Sequence, residues 1–265
     1  MNASIKRDYI SYSAISTFRS CPLKYRFRYI DGLPSETVSS SLVFGSAIHS
    51  AIEEYFLAQL AGESPLSREK MLAAYHSSWQ ATDMSTVELG KNETLDGLTS
   101  LAGRMIDSFL ASSLTRLEGR ILGVEETLRG VLLDGMPDLL GIVDLLVETD
   151  DTLTVIDFKT SRSSWSLDQA IDSSEQLLLY CDLARRMVPG KTLRLKFAVL
   201  TKTKEPVIQQ IDLPFHQEQL DRTKHAVSAI WAAIETGNFY PNPTPMQCPG
   251  CSYRSQCAAW PNPYR

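Results

Sequence analysis

The chain has few cysteines, no long apolar run and no excess of basic residues. Five cysteines in 265 residues, one of them in an apolar helix, do not make a secreted disulfide framework. In a reducing compartment metal ligation is the expected use of those that cluster. No apolar run approaches the roughly 18 residues of a membrane span, and Met1 to Arg7 lead into polar and aromatic sequence instead of a signal-peptide core. A cytoplasmic location is therefore expected. With 26 Lys+Arg against 31 Asp+Glu, affinity for nucleic acid would have to come from a local basic patch. The chain has no Gly-x4-Gly-Lys-[Ser/Thr] phosphate loop, so ATP hydrolysis by that device is excluded. It also lacks internal repeats and low-complexity segments.

What is present reads as one large α/β unit with a helical insertion. Tyr12 to Arg19 form a short helix pattern, and Ser20-Cys21-Pro22 reads as a cap with proline opening a second helix. From Phe18 to Tyr29 the cations Arg19, Lys24, Arg26 and Arg28 interleave with Phe18, Tyr25, Phe27 and Tyr29. That mixture suits a single strand of nucleic acid; it equally suits a solvated basic face over an aromatic core stripe. Leu42 to Phe56 has helical apolar spacing and carries His49 on or beside its buried stripe. Two or three helices fill about 67–116, with a break near Leu89-Gly90. The period then changes to two over Ile121–Leu128, Val131–Leu133, Leu139–Val147 and Leu153–Phe158, separated by turn signals, as in an antiparallel meander. A long helix is expected over Ser166–Val188, strands over Leu193–Thr201 and Val207–Leu213, and a helix over Phe215–Thr236 before a proline-rich tail.

Asp157-Phe158-Lys159 is the segment that carries chemistry. Alternate side chains of a strand share a face, so Asp157 and Lys159 point one way and Phe158 the other. The preceding strand carries Gly141-Ile142-Val143-Asp144, and a hairpin turning at Asp150-Asp151 brings Asp144 towards Asp157. Converging carboxylates repel without a cation and form a hard-oxygen site for Mg²⁺ or Mn²⁺. Alone, Asp-x-Lys is a common surface ion pair. Gln176 and Tyr180, four apart on the next helix, share one face and can reach the same cleft. Glu125 on the strand before the hairpin is a further ligand candidate, although an exposed strand acid is the plainer reading. Trp165 follows the same strand and either stacks on a base or packs against a helix. Trp79, Trp231 and Trp260 read as packing residues.

Cys248, Cys251 and Cys257 supply three thiolates from the tail, and Cys21, far upstream, is the candidate fourth. Spacing alone does not separate zinc from an iron-sulfur cluster. Cys181 follows Tyr180 in an apolar helix and is expected in the core.

These pieces occur in a recognisable order: Ser13 to Ser16 with Cys21-Pro22, Gly45 to His49, Gly141 to Asp144, Val155 to Thr160, Gln176 to Tyr180, and Cys248-Pro249-Gly250-Cys251 with Cys257. Their order resembles the RecB-like branch of the PD-(D/E)XK nuclease superfamily, especially its iron-sulfur members such as the CRISPR-associated exonucleases and the AddB nuclease domain. The resemblance spans residues 13–257. It implies a restriction-endonuclease-like α/β core, a central mixed sheet flanked by helices, as a single domain over 1–265. That domain would have a helical insertion at about 60–118 and cluster-binding parts at about 13–30 and 241–265.

By the same resemblance Asp144, Asp157, the Phe158 carbonyl and His49 hold the metal, and Lys159 orients or activates the attacking water. Gln176 and Tyr180 then position that lysine and the DNA backbone. Cys21, Cys248, Cys251 and Cys257 bind a structural 4Fe-4S cluster joining the termini. The third-motif acid is Asp157 where many relatives have Glu, a shorter arm that the family pattern allows. The implied activity is Mg²⁺- or Mn²⁺-dependent hydrolysis of DNA, by an exonuclease preferring single-stranded or frayed ends. It would serve recombination, repair, phage DNA metabolism or spacer acquisition. The rival expectation is a catalytically weak nuclease-fold DNA-binding subunit of a helicase or integrase complex.

Overall fold

The computed structural model describes residues 8–261. Residues 1–7, which bear on the signal-peptide expectation, lie outside the described residues, as do 262–265 at the end of the tail. In chain order the elements begin with β1 (Tyr9–Ser11), α1 (Tyr12–Ser20) and α2 (Pro22–Tyr25), which runs into a π-helical turn (Arg26–Ile30). Next come β2 (Val38–Ser39), α3 (Ser40–Leu60), α4 (Arg68–Gln80), β3 (Val87–Glu88), α5 (Leu95–Ala111) and β4 (Arg120–Gly130). Then follow β5 (Asp138–Glu148), β6 (Thr152–Ser161), α6 (Leu167–Asp172), α7 (Glu175–Ala184), β7 (Thr192–Thr201), β8 (Ile208–Pro214), α8 (Gln217–Glu235) and α9 (Arg254–Ala258). No helix among the described residues is long and apolar enough to cross a membrane.

Two compact units are formed. One is drawn from Ser39–Leu128 and Ile142–Leu220, the other from Met1–Val38, Arg129–Gly141 and Asp221–Arg265. The first unit is an α/β structure built on a mixed sheet flanked by helices. β4 pairs with β5, β5 runs antiparallel to β6, β6 parallel to β7, and β7 antiparallel to β8. A parallel neighbour needs a crossover, and α6 with α7 supplies it between β6 and β7. Helices α3 and α7 pack on β6, and α5 and α7 on β7.

Ser39 opens α3 by accepting the Leu42 N–H, and Thr94 opens α5 by accepting that of Gly97. Helix α3 buries Phe44, Ile48, Ile52, Tyr55 and Phe56, which recur at three-to-four spacing and lie over the sheet. Close approach is permitted at Gly45, where an added Cβ would stand 3.2 Å from Thr160 Oγ1. The Phe158 ring leaves the opposite face of β6 from its two neighbours and stacks on Phe56 at 5.9 Å between centroids.

Two local expectations change. The helix expected over 166–188 is broken at Ser173-Ser174, where the Ser174 hydroxyl donates to the Ile171 carbonyl at 2.7 Å and its backbone N–H also turns back to Ile171. Short hydroxyl side chains compete with the helix ladder in this way. Val131–Leu133 is not a strand, because β4 extends through the presumed turn at Arg129-Gly130 and the chain bends afterwards.

In the other unit β1 runs parallel to the first residues of β5, pairing Ile10 with Leu139. Leu23, Phe27 and Tyr253 form its buried cluster, with Cys21, Leu33, Cys251, Cys257 and Trp260 packed around it. Phe18 and Tyr25 are also interior and meet edge-on at 5.5 Å, while Arg19 and Arg28 are exposed. Of the two readings of the Phe18–Tyr29 run, the core stripe is therefore the one that fits Phe18, Tyr25 and Phe27, whose rings are not free to stack on bases; Tyr29 is half-buried.

Candidate active site

In the register that joins Leu145 to Ile156, the next position opposes Asp144 to Asp157. There the ladder is diverted: the Phe158 N–H donates to Asp144 Oδ2 at 2.7 Å, a charge-assisted bond. Asp157 is 4% exposed. Its Oδ2 lies 2.7 Å from Lys159 Nζ as an ion pair, but has no aligned hydrogen-bond donor. The acid is thus compensated in charge and still short of a directed partner, which is the condition of an oxygen that a cation would satisfy.

A polar chain leads away from this pair. Lys159 Nζ donates to Gln176 Oε1 at 3.3 Å, and the Gln176 side chain is hydrogen-bonded to the Tyr180 hydroxyl, which also meets the Ile142 backbone. Burial, with the charges of Asp157 and Asp144, pushes the Tyr180 phenol up to about 12. It is consequently a neutral hydrogen-bonding group throughout the physiological range.

His49 comes from the middle of α3. Its Nδ1 is 3.6 Å from Asp144 Oδ2, and its ring is hydrogen-bonded to the Phe158 backbone and edge-on to the Phe158 ring. Burial holds the imidazole below its ordinary value, outweighing the pull of Asp157. A neutral ring with a lone pair is the state that ligates metal.

Ligand atoms of His49, Glu125 and Asp144 all lie within 4.8 Å of one another. Glu125 was the weaker candidate on sequence, where a strand acid has no distinguishing pattern. Its backbone φ of +48° makes it the one described non-glycine residue in left-handed space. Such a conformation for a side-chain-bearing residue is strained and characteristic of sites where the surroundings fix it. Burial first, then the charges of Glu53 and Asp157, raise the Glu125 carboxyl. Asp144 is raised well above the usual carboxylate range by burial and by facing Asp157, despite the Phe158 N–H and Lys159. Glu53 went unnoticed on sequence; it stands four residues after His49, one turn along α3, and is itself raised by burial and by Glu54. Its signal is that i, i+4 spacing.

Asp144, Asp157, Phe158, Lys159, Gln176, Tyr180 and His49 therefore belong to one locality, and Glu125 joins them. Trp165 does not face it as a free ring: its backbone N–H and carbonyl are both bonded to the Gln209 amide at 2.8 Å. Its indole donates to Ser161 Oγ and packs edge-on to Phe197.

The family model of the PD-(D/E)XK nuclease superfamily matches residues 9–258. The chain belongs to the PD-(D/E)XK nuclease superfamily. A crystal structure of a Eubacterium rectale protein, described as a proposed exonuclease, is similar in fold. Its TM-score is 0.60 at 16% identity, over 96% of this chain and 89% of that one. A crystal structure of SSO0001 aligns over 91% of this chain and 96% of that one at 14% identity, with a TM-score of 0.39. No curated protein matches the sequence.

This nuclease-superfamily chain also gathers its terminal cysteines. Cys21, Cys248, Cys251 and Cys257 line one cavity of about 550 Å³ with Leu23 and Phe27. Backbone N–H groups of Asn242 and Thr244 donate to the sulfurs of Cys21 and Cys248 at 3.5 and 3.3 Å. Burial, then proximity to Cys21, Cys251 and Cys248, raises the Cys257 thiol. Among the described residues no three cysteine sulfurs lie within 4.8 Å of one another. Cys181 is buried elsewhere, in α7, with its thiol pushed up by burial and by Asp182.

Proposed function

We propose that the protein is a divalent-metal-dependent deoxyribonuclease that hydrolyses phosphodiester bonds, acting as an exonuclease on single-stranded or frayed DNA ends. The observation that carries this reading is the opposition of Asp144 and Asp157 beside Lys159, with Asp157 Oδ2 buried and lacking an aligned donor. Asp144, Asp157, His49 and the Phe158 carbonyl would hold Mg²⁺ or Mn²⁺, with Glu125 as a further ligand. Three raised or crowded carboxylates and a neutral imidazole are the donor set such an ion needs.

When bound, the ion supplies Lewis acidity towards the phosphate and lowers the pKa of water. The remaining work falls to the chain. Lys159 Nζ offers its protons to the phosphate oxygens where negative charge grows. Gln176, braced by Tyr180, limits the directions that ammonium can take, and Asp157 keeps it close at hand. His49 stays neutral because it is buried, so it does not compete for a proton with the acids.

For the cysteines we favour a 4Fe-4S cluster held by Cys21, Cys248, Cys251 and Cys257. A zinc ribbon would usually bring two close CxxC pairs, whereas one lone cysteine with a trio at the opposite end of the chain resembles the clasp of the iron-sulfur nucleases. The N–H groups aimed at sulfur are the second-shell contacts that such centres use. On this reading the cluster is structural and the chain one nuclease domain over 1–265, with 60–118 as an insertion, in the iron-sulfur branch that includes the CRISPR-associated and AddB nucleases.

The test is cleavage of end-labelled single- and double-stranded DNA by anaerobically purified protein, with Mn²⁺ or Mg²⁺ and with chelator. Degradation from ends that chelator stops is the expected result. Absence of cleavage under every metal would reject the activity in favour of a binding subunit.

A further inference from the structure

Beyond the C-terminal ends of β6 and β7 lies a group of cations outside the metal-holding locality. Arg162 follows β6, Lys202 and Lys204 follow β7, and Arg104 is exposed on α5. Arg104, Lys202 and Lys204 line a cavity of about 320 Å³ with Glu93, Thr94 and Gly97 at the start of α5. The Lys202 ammonium is fixed by donating to Ser41 Oγ at 2.6 Å, and an ammonium has further hydrogens to give. Its backbone N–H donates to the Ser161 carbonyl, tying β7's exit to that of β6. Lys159 is two residues before Ser161, about 7 Å along the strand.

The acids nearby do not cancel this charge. Glu93 is already committed, accepting from Ser40 Oγ and from the Gly90 N–H at 2.9 Å, and these bonds hold it ionised. Asp96, in the first turn of α5, is exposed. Arg104, Arg162, Lys202 and Lys204 outnumber Glu93, Asp96 and the exposed Glu205, which leaves a positive excess in a chain whose formal net charge is −5. Burial chiefly, and then the nearby Arg162, lowers Lys202 against the pull of Glu93, which places Arg162 close enough to share its field. The N-terminal end of α5 adds its positive dipole to the same cavity.

We propose that this cavity seats a backbone phosphate of the substrate strand, a short way along from the bond that is cut. The inference rests on the nuclease reading of Asp144, Asp157 and Lys159. A planar guanidinium with mobile ammonium groups matches phosphate oxygens and reads no base, so the seat grips the strand without regard to sequence. It would hold a polynucleotide in register while the terminal residue is hydrolysed.

The full-length protein, in EDTA so that nothing is cut, is titrated against a fluorescein-labelled single-stranded oligodeoxynucleotide and followed by anisotropy. Replacing Arg104 and Lys204 together, Arg104→Gln/Lys204→Gln, raises Kd about tenfold and reduces the slope of log Kd against log salt by about 0.7, the counterion release of one phosphate contact on a single strand. Lys204→Gln alone gives a smaller change of the same sign. Removing two exposed charges elsewhere, Lys70→Gln/Arg116→Gln, leaves both quantities at their starting values. Unchanged affinity and slope in the cavity variants, or equal weakening by the control pair, overturns the seat. Cleavage of the same oligonucleotide by the unmodified protein in Mn²⁺ is scored separately. Failure there sinks the nuclease reading, while the metal-free titration still decides the seat.

Discussion

The backbone N–H of Phe158 is bonded to the side chain of Asp144 at 2.7 Å, so the middle residue of the Asp-Phe-Lys triplet fixes the acid of the neighbouring strand. The same residue buries its ring against Phe56 and His49. One position of β6 therefore anchors two groups of the locality, Asp144 and His49, while contributing no reactive side chain.

On the proposed function, charge at the Asp157–Lys159 pair would decide turnover. Asp157→Asn and Lys159→Ala are each expected to cut the rate of DNA hydrolysis at least about 100-fold, the scale of losing a group that stabilises developing charge. Circular dichroism melts should stay cooperative. Full activity in both variants would remove the assignment.

Metal affinity should depend on pH through Asp144. Its carboxyl is raised by burial and by Asp157, so below that raised value an incoming cation must displace a proton. Calorimetric Mn²⁺ titrations should show affinity climbing by up to about tenfold per pH unit across that range, then levelling. The linked sign for stability is opposite. A raised acid binds protons in the folded state that the unfolded chain releases, so metal-free protein loses stability as pH rises from the ordinary carboxylate range through the raised value. Saturating Mn²⁺ should abolish that loss.

Glu125 separates stability from metal binding. Glu125→Gly relieves both the left-handed backbone and a half-buried carboxylate, so the metal-free melting temperature should rise. The Mn²⁺ concentration for half-maximal cleavage should rise as well, about tenfold or more. A variant with an unaltered metal requirement would show that Glu125 holds no ion.

Iron content tests the cysteine cavity. Cys21→Ser or Cys257→Ser should lose the absorbance near about 400 nm and most of the iron, and melt several degrees lower, whereas Cys181→Ser should keep its iron. A colourless anaerobic preparation holding only zinc would reject the cluster.

Much of the locality was legible because it is local in sequence. Period-two alternation fixed the side shared by Asp157 and Lys159, and a short hairpin brought Asp144 across from them. Helical spacing likewise put Gln176 and Tyr180 together. What was not legible depends on distant partners or unusual backbone. Glu125 earns its place through a positive φ that no residue type announces. The break at Ser173-Ser174 requires knowing that Gln219 Nε2 reaches Ser174 Oγ from outside the helix. Phe18, Tyr25 and Phe27 face inward because Tyr253, Phe239 and Trp260 arrive from the other end of the chain.

Gln209 on β8 clasps the main chain of Trp165 by both its N–H and its carbonyl. The segment leaving β6 is thereby bolted to the sheet like a door frame instead of hanging as a door. To move, the segment would have to give up both of those bonds at once, so a single substitution, Gln209→Ala, would free it.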